Sequence, residues 1–131
     1  MTVQDLRQLI NYWREGSDYD WKTAQALFRG RRFPYSLFLG HLSLEKLLKG
    51  LIVKHSGDHA PFTHNLVFLA GKLPVEFSKE QIAFLEEINS FNLEARYPDE
   101  KKALYKKATR EYTKRILAAI QEVRQWLKGL Y

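Results

Sequence analysis

Three places in this sequence set ionisable side chains at spacings that chemistry can use. In His41-Leu-Ser-Leu-Glu45-Lys46-Leu-Leu-Lys49, positions 41, 45 and 49 are four apart and share one ridge of a helix. An imidazole beside a carboxylate on an inward ridge would tune a proton-transfer group. The simpler role, which the residue types favour, is a Glu45–Lys49 ion pair with His41 as a hydrogen-bonded, half-buried neighbour. The second place is Asn89-Ser-Phe-Asn92-Leu-Glu94-Ala-Arg96-Tyr97-Pro98-Asp99, where an arginine and a phenol meet a turn just ahead of the next helix. A guanidinium fork suits phosphate, an aromatic ring stacks on bases, and helix N–H groups attract anions. Arg96, Tyr97, Lys101, Lys102 and Lys106 are therefore the candidate nucleotide- or phosphate-binding residues. Asn92, Glu94, Asp99, His41, Glu45 and Lys49 are their candidate supports. The alternative at this turn is Arg96 pairing with Glu94, Asp99 or Glu45 to lock the chain. The third place is the His55/His59 pair, but Ser56-Gly57 interrupts the helix between them and no third ligand is near, so no metal site is expected. Walker, dinucleotide-binding, zinc-protease and nucleophile-elbow patterns are absent. No residue is assigned as catalytic and no cofactor is expected.

The elements that must position these groups are helices, because apolar residues recur every three or four positions and strict alternation is nearly absent. The spacing predicts a short helix over 3–14, then a second from an N-cap at Ser17 to about Phe28. Arg29-Gly30-Arg31-Arg32-Phe33-Pro34 breaks it. A long helix follows over 34–55, burying Leu37, His41, Leu44, Leu48, Leu51 and Ile52, and Gly57 and Pro61 stop it. A short helix capped by Thr63 carries Leu66, Leu69 and Ala70. Ser78-Lys79-Glu80-Gln81 is a capping box for another, which bears Ile82, Phe84, Leu85, Ile88 and Phe91. One uninterrupted last helix is expected from Asp99 to the C-terminal end, with Tyr105, Ala108, Tyr112, Ile116, Ala119, Val123, Trp126 and Leu130 on its inner stripe. Together these describe an all-α, antiparallel up-and-down four-helix bundle with one or two short extra helices, in one domain spanning 1–131. That topology would gather Arg29, Arg31 and Arg32 beside Arg96, Lys101 and Lys102 at one end.

Composition bounds the function. Of 131 residues, 45% are hydrophobic and 14% aromatic, enough for a packed core. No apolar run approaches the ~20 residues of a membrane span, and no signal peptide is read at the start. With no cysteine there is no disulfide framework or thiolate chemistry. A cytoplasmic protein is expected. Net charge is +6, yet residues 101–128 hold nine Lys or Arg against Glu111 and Glu122, so the rest of the chain is nearly neutral. A basic character confined to one segment suits a surface facing phosphates or an acidic partner, although solubilising lysines on a solvated helix face would look the same.

His41-Leu-Ser-Leu-Glu-Lys-Leu-Leu-Lys-Gly-Leu51, Thr63-His-Asn-Leu66 and Asn92-Leu-Glu-Ala-Arg-Tyr-Pro-Asp99, in that order behind the Trp21–Ala26 helix, resemble the HEPN domain (higher eukaryotes and prokaryotes nucleotide-binding). The likeness spans roughly residues 18–125. It implies a bundle of four or five helices, a homodimer, and a minimal nucleotidyltransferase partner in prokaryotic two-gene modules of the toxin–antitoxin kind. Many members are metal-independent ribonucleases with an Arg-polar-x4–6-His motif, two of which meet across the dimer. Arg96 matches the arginine, but no histidine follows His64, and Asp99, Lys102 and Tyr105 occupy the region where one is expected. A phenol with a pKa near 10 is a poor base at neutral pH. The acid–base role would fall to His41 or His64 from elsewhere in a dimer, which the sequence gives no reason to expect.

The resemblance and the residues together favour a nucleotide- or RNA-phosphate-binding module acting with a minimal nucleotidyltransferase. A ribonuclease toxin with a divergent site is the enzymatic alternative, and a protein–protein assembly module the third.

Overall fold

The structure, a computed structural model, describes every residue from Met1 to Tyr131. Its first helix is capped at Thr2, whose hydroxyl accepts from Asp5 N while the Asp5 carboxylate accepts from Thr2 N. From there α1 runs unbroken from Val3 to Arg29, so the expected stop at Ser17 does not occur. Ser17 is fully buried, donating to the Ser43 carbonyl at 2.6 Å and accepting from Arg124 Nη1 at 2.5 Å. In sequence a serine reads as a cap because its hydroxyl competes with the backbone. Here tertiary partners occupy the hydroxyl and the helix continues past it.

A turn at Gly30 and Arg31 leads into α2, Phe33–Ser56, which has Pro34 in its first turn and ends on Gly57 at φ 72°. This left-handed C-cap is the conformation glycine adopts without a Cβ penalty. α1 and α2 form a long antiparallel hairpin, and α2 is the central helix of the molecule. Leu37, Leu44, Leu47, Leu48, Leu51 and Val53 are all fully enclosed, as is His41. Gly40 has a packing role: a Cβ there would lie 2.8 Å from Ile120 Cδ1, so this glycine lets the last helix approach.

The remaining elements cover the other sides of α2. They are α3 (Leu66–Ala70), α4 (Lys79–Asn89), a 3-10 turn over Leu93–Ala95, α5 (Pro98–Lys107) and α6 (Arg110–Lys128). The Ser78/Gln81 capping box forms as expected. Asn65, not Thr63, caps α3; its side chain accepts from Val67 N and Phe68 N, while the Thr63 hydroxyl accepts from Asn65 N. The uninterrupted last helix is also corrected. Ala108 leaves helical geometry, and Thr109 caps α6 by accepting from Tyr112 N at 3.1 Å. A threonine amid lysines, arginines and alanines is easily read as helix interior, yet it offers a cap hydroxyl that allows the chain to turn.

The break also shifts the buried stripe of α6, where Thr113, Ile116, Leu117, Ile120, Arg124 and Leu127 face inward. Tyr112, Val123, Trp126 and Leu130 sit half-buried at its margin, with Trp126 edge-on to Phe77 and Tyr112 edge-on to Phe91. The result is an all-α bundle of four main helices, α1, α2, α4 and α6, with short α3 and α5 between them. The α1–α2 turn is approached by Tyr105, which neighbours Tyr35, and by Arg110, which lies over the Phe28 ring. Arg96 stands at the opposite end of α5, near His41, so it is Arg110 that approaches the arginines of that turn. No helix is long and apolar enough to cross a membrane.

Candidate functional site

The ridge at 41, 45 and 49 faces inward, and Glu45 and Lys49 are bonded there at 3.1 Å with side chains only 6% and 9% exposed. Two charges held this far from water need further partners. Lys49 finds the Trp13 ring, 5.4 Å from its centroid. The second Glu45 oxygen binds His64 Nδ1 at 2.9 Å. The histidine that Glu45 holds is thus the one in the loop before α3, rather than His41 on its own helix.

His41 acts on the same loop through its backbone. Its Nε2 lies 3.1 Å from the His64 carbonyl. A carbonyl only accepts, so Nε2 carries the proton and Nδ1 is left as a buried acceptor without a partner. Burial drives the His41 pKa down from 6.5 to about 4, outweighing the opposite pull of Glu45. The ring is neutral at pH 7 and serves as a fixed donor.

The facing wall comes from the end of α4 and the 3-10 turn. Asn89 Oδ1 accepts from Leu66 N at 2.8 Å, and its Nδ2 donates to Asn65 Oδ1 at 3.0 Å, clamping α3 to α4. The Asn89 carbonyl in turn accepts from Arg96 Nη2 at 2.8 Å. Arg96 Nη1 reaches Glu100 Oε2 at 3.2 Å, and the other Glu100 oxygen caps Tyr97 N. Glu100, not Glu94, Asp99 or Glu45, is therefore the carboxylate that locks the turn. Two of the five Arg96 donor hydrogens are used in this way, and its buried Nε has no partner.

Between these walls lies a cleft of about 310 Å³ lined by His64, Asn65, Asn89, Asn92, Ala95 and Arg96. Asn92 is 95% buried and its Oδ1 has no partner. Asn92 Oδ1 and Arg96 Nε are thus both enclosed and unpaired beside this cleft, which costs stability. A second hollow of about 270 Å³ touches the other side of Arg96 and includes Ser90, Glu100, Ala103, Leu104 and Lys107.

Of the sequence-derived candidates, Arg96 and Asn92 line the cleft, and His41, Glu45 and Lys49 stand behind His64 as its support. Tyr97 is 78% exposed beside Arg96. Lys101, Lys102 and Lys106 are exposed along α5 and belong to neither lining; the lysine that shares a hollow with the arginine is Lys107. Glu94 and Asp99 are exposed at the turn. Sequence reasoning raised His64 only as a remote acid–base candidate and did not list Asn65 or Asn89 among the site residues. The available signal was the Thr-His-Asn-Leu run itself, in which an asparagine before an apolar helix is a cap that fixes the histidine next to it.

The fold and cleft together define a small helical bundle with an opening lined by asparagines, a histidine and an arginine. The HEPN domain model matches residues 10–130, and the chain belongs to that family. Its fold is similar to that of TT1696 from Thermus thermophilus, a crystal structure with a TM-score of 0.78 at 18% identity, over 93% of this chain and 98% of that one. A search of curated protein sequences finds no match.

Proposed function

We propose that this HEPN protein is a homodimeric, cytoplasmic module that binds a nucleotide or the phosphate backbone of RNA. We further propose that it works beside a minimal nucleotidyltransferase in a prokaryotic two-gene, toxin–antitoxin-like system. The observation that carries the binding reading is that Arg96, with guanidinium donors left unused, lines one cleft together with His64, Asn65 and Asn89. A phosphate supplies acceptor oxygens for the unused guanidinium donors. Lys101, Lys102 and Lys106 extend the positive field along α5, where further phosphates of a chain would run, and Tyr97 is free to stack on a base.

The test is fluorescence anisotropy with a labelled single-stranded RNA across a salt series, with nucleotides as competitors. Binding is expected to weaken steadily as salt rises, and Arg96→Ala is expected to lower affinity at least tenfold. Binding unaffected by salt and by Arg96→Ala overturns the reading. Co-expression with the nucleotidyltransferase of the same gene pair, followed by purification and sedimentation, tests the partner and the dimer. A monomer that leaves the nucleotidyltransferase behind contradicts both.

A further inference from the structure

α1 and α6 both lie against α2 and touch each other far less, which leaves a trough between them. It is made of two adjoining hollows, of about 330 and 480 Å³, that share Trp21, Gln25 and Gln121. None of its lining belongs to the Arg96 cleft. The two walls run antiparallel, with Arg29 and Lys114 bordering the first hollow and Asp18 meeting Arg124 and Lys128 in the second. The rim positions are 18, 22, 25 and 29 on α1 and 114, 118, 121, 125 and 128 on α6. These spacings of three and four make each wall one continuous helical ridge. At a helical rise of 1.5 Å per residue the α1 wall is ~16 Å long and the α6 wall ~21 Å. Ridges of that length and period, left without a packing partner, are what another helix of three to four turns fills.

The lining selects the kind of helix. Its floor is apolar at Trp21, Phe28 and Leu117, yet its charge is one-sided, with five cations against a single carboxylate, Asp18. Asp18 is already held by Arg124 at 2.8 Å and Lys128 at 2.6 Å. Lys22, Arg29 and Lys114 form no ion pair. A second copy of the chain laid face to face here would set cations on cations. A nucleic-acid strand would find no open stacking platform, since Trp21 is 9% exposed with Arg124 over its ring, and Phe28 is hemmed by Phe33 and Arg110. We propose that the trough receives an acidic amphipathic helix of a partner protein. The apolar stripe of that helix lies on Trp21, Phe28 and Leu117, and its carboxylates meet Lys22, Arg29 and Lys114. This surface is separate from the phosphate-binding cleft, and either can stand without the other.

The experiment titrates the full-length protein with a synthetic peptide of about four helical turns, capped at both ends, with leucine at every third and fourth position and glutamate elsewhere. Calorimetry gives the affinity, and NMR follows the side-chain amides of Gln25, Gln121 and Gln125. The same peptide with lysine in place of glutamate is the charge control, and single-stranded RNA is the competitor. The glutamate peptide is expected to bind and to shift those amides, the lysine peptide to leave them unmoved, and RNA not to displace the glutamate peptide. Ala118→Trp fills the trough and Lys114→Glu reverses a rim charge; both positions are exposed, so the variants are expected to fold. Each should lower peptide affinity by roughly tenfold or more, while RNA affinity stays within about threefold. A glutamate peptide that does not bind, that binds Ala118→Trp as tightly as wild type, or that is matched by its lysine version overturns the proposal. Displacement by RNA would make the trough a nucleic-acid surface, and loss of a wild-type dimer in Ala118→Trp by sedimentation would make it a self-contact; either result also overturns it. The Arg96 reading is untouched by these outcomes and is decided by its own salt series.

Discussion

His41 gives the structure a specific acid sensitivity. The ring is fully enclosed and its pKa is lowered from 6.5 to about 4, chiefly by burial. As pH falls below 6.5 the unfolded chain takes up a proton at this position while the folded chain does not, so stability falls with it. The loss is complete once pH is below 4, where both states are protonated. One pKa unit is about 1.4 kcal/mol, so His41 alone should remove about 3 kcal/mol between pH 6.5 and 4. His41→Gln is the useful comparison, because the amide can still donate to the His64 carbonyl but does not titrate. Urea unfolding of both proteins at intervals from pH 7.5 to 4 gives the difference directly. The wild-type protein should lose about 3 kcal/mol more than the variant over that range, and the His41 ring protons should titrate near pH 4 by NMR. Parallel stability curves, or a His41 midpoint near 6.5, would refute the burial argument.

Arg124, only 3% exposed, bonds Ser17 and Asp18 and lies over the Trp21 ring; Arg124→Ala should cost about 3 kcal/mol in urea unfolding, and Arg124→Met clearly less, since the longer apolar chain refills the space. Equal losses would mean that the hydrogen bonds, rather than the packing, set the cost. Thr109→Ala should destabilise by about 1 kcal/mol, because it removes the cap that starts α6; a neutral or stabilising effect would argue for one continuous helix through this position. Asn89→Ala removes both clamps on the loop that carries His64, so amide exchange at Leu66–Phe68 should speed up by at least tenfold, and unchanged exchange would count against the clamp.

Much of this architecture can be read from residue spacing, and the places where it cannot share a physical cause. The 34–55 helix, its inward ridge and the Ser78 capping box depend on local pattern and form nearly as expected. Ser17 and Thr109 carry the same kind of hydroxyl, yet one is buried inside a helix and the other begins one. What decides between them is tertiary: Ser43 and Arg124 satisfy Ser17, whereas Thr109 has only the backbone of its own helix to bond. The site was legible in part for the same reason. Arg96 and Asn92 belong to one run and could be grouped, and Glu45 was correctly paired with Lys49. Glu45's second partner lies nineteen residues away, in a loop whose path no periodicity reveals. The histidine that shares a cleft with Arg96 comes from that same loop, on the other wall.

The central claim is that Arg96 receives phosphate in the cleft it shares with His64. The most direct measurement is the salt dependence of single-stranded RNA binding by the wild-type protein and by Arg96→Ala, plotted as log affinity against log salt. A negative slope is predicted for the wild type, shallower by about 0.7 in the variant, the share of one phosphate contact on a single strand. Identical slopes and affinities for the two proteins would contradict it.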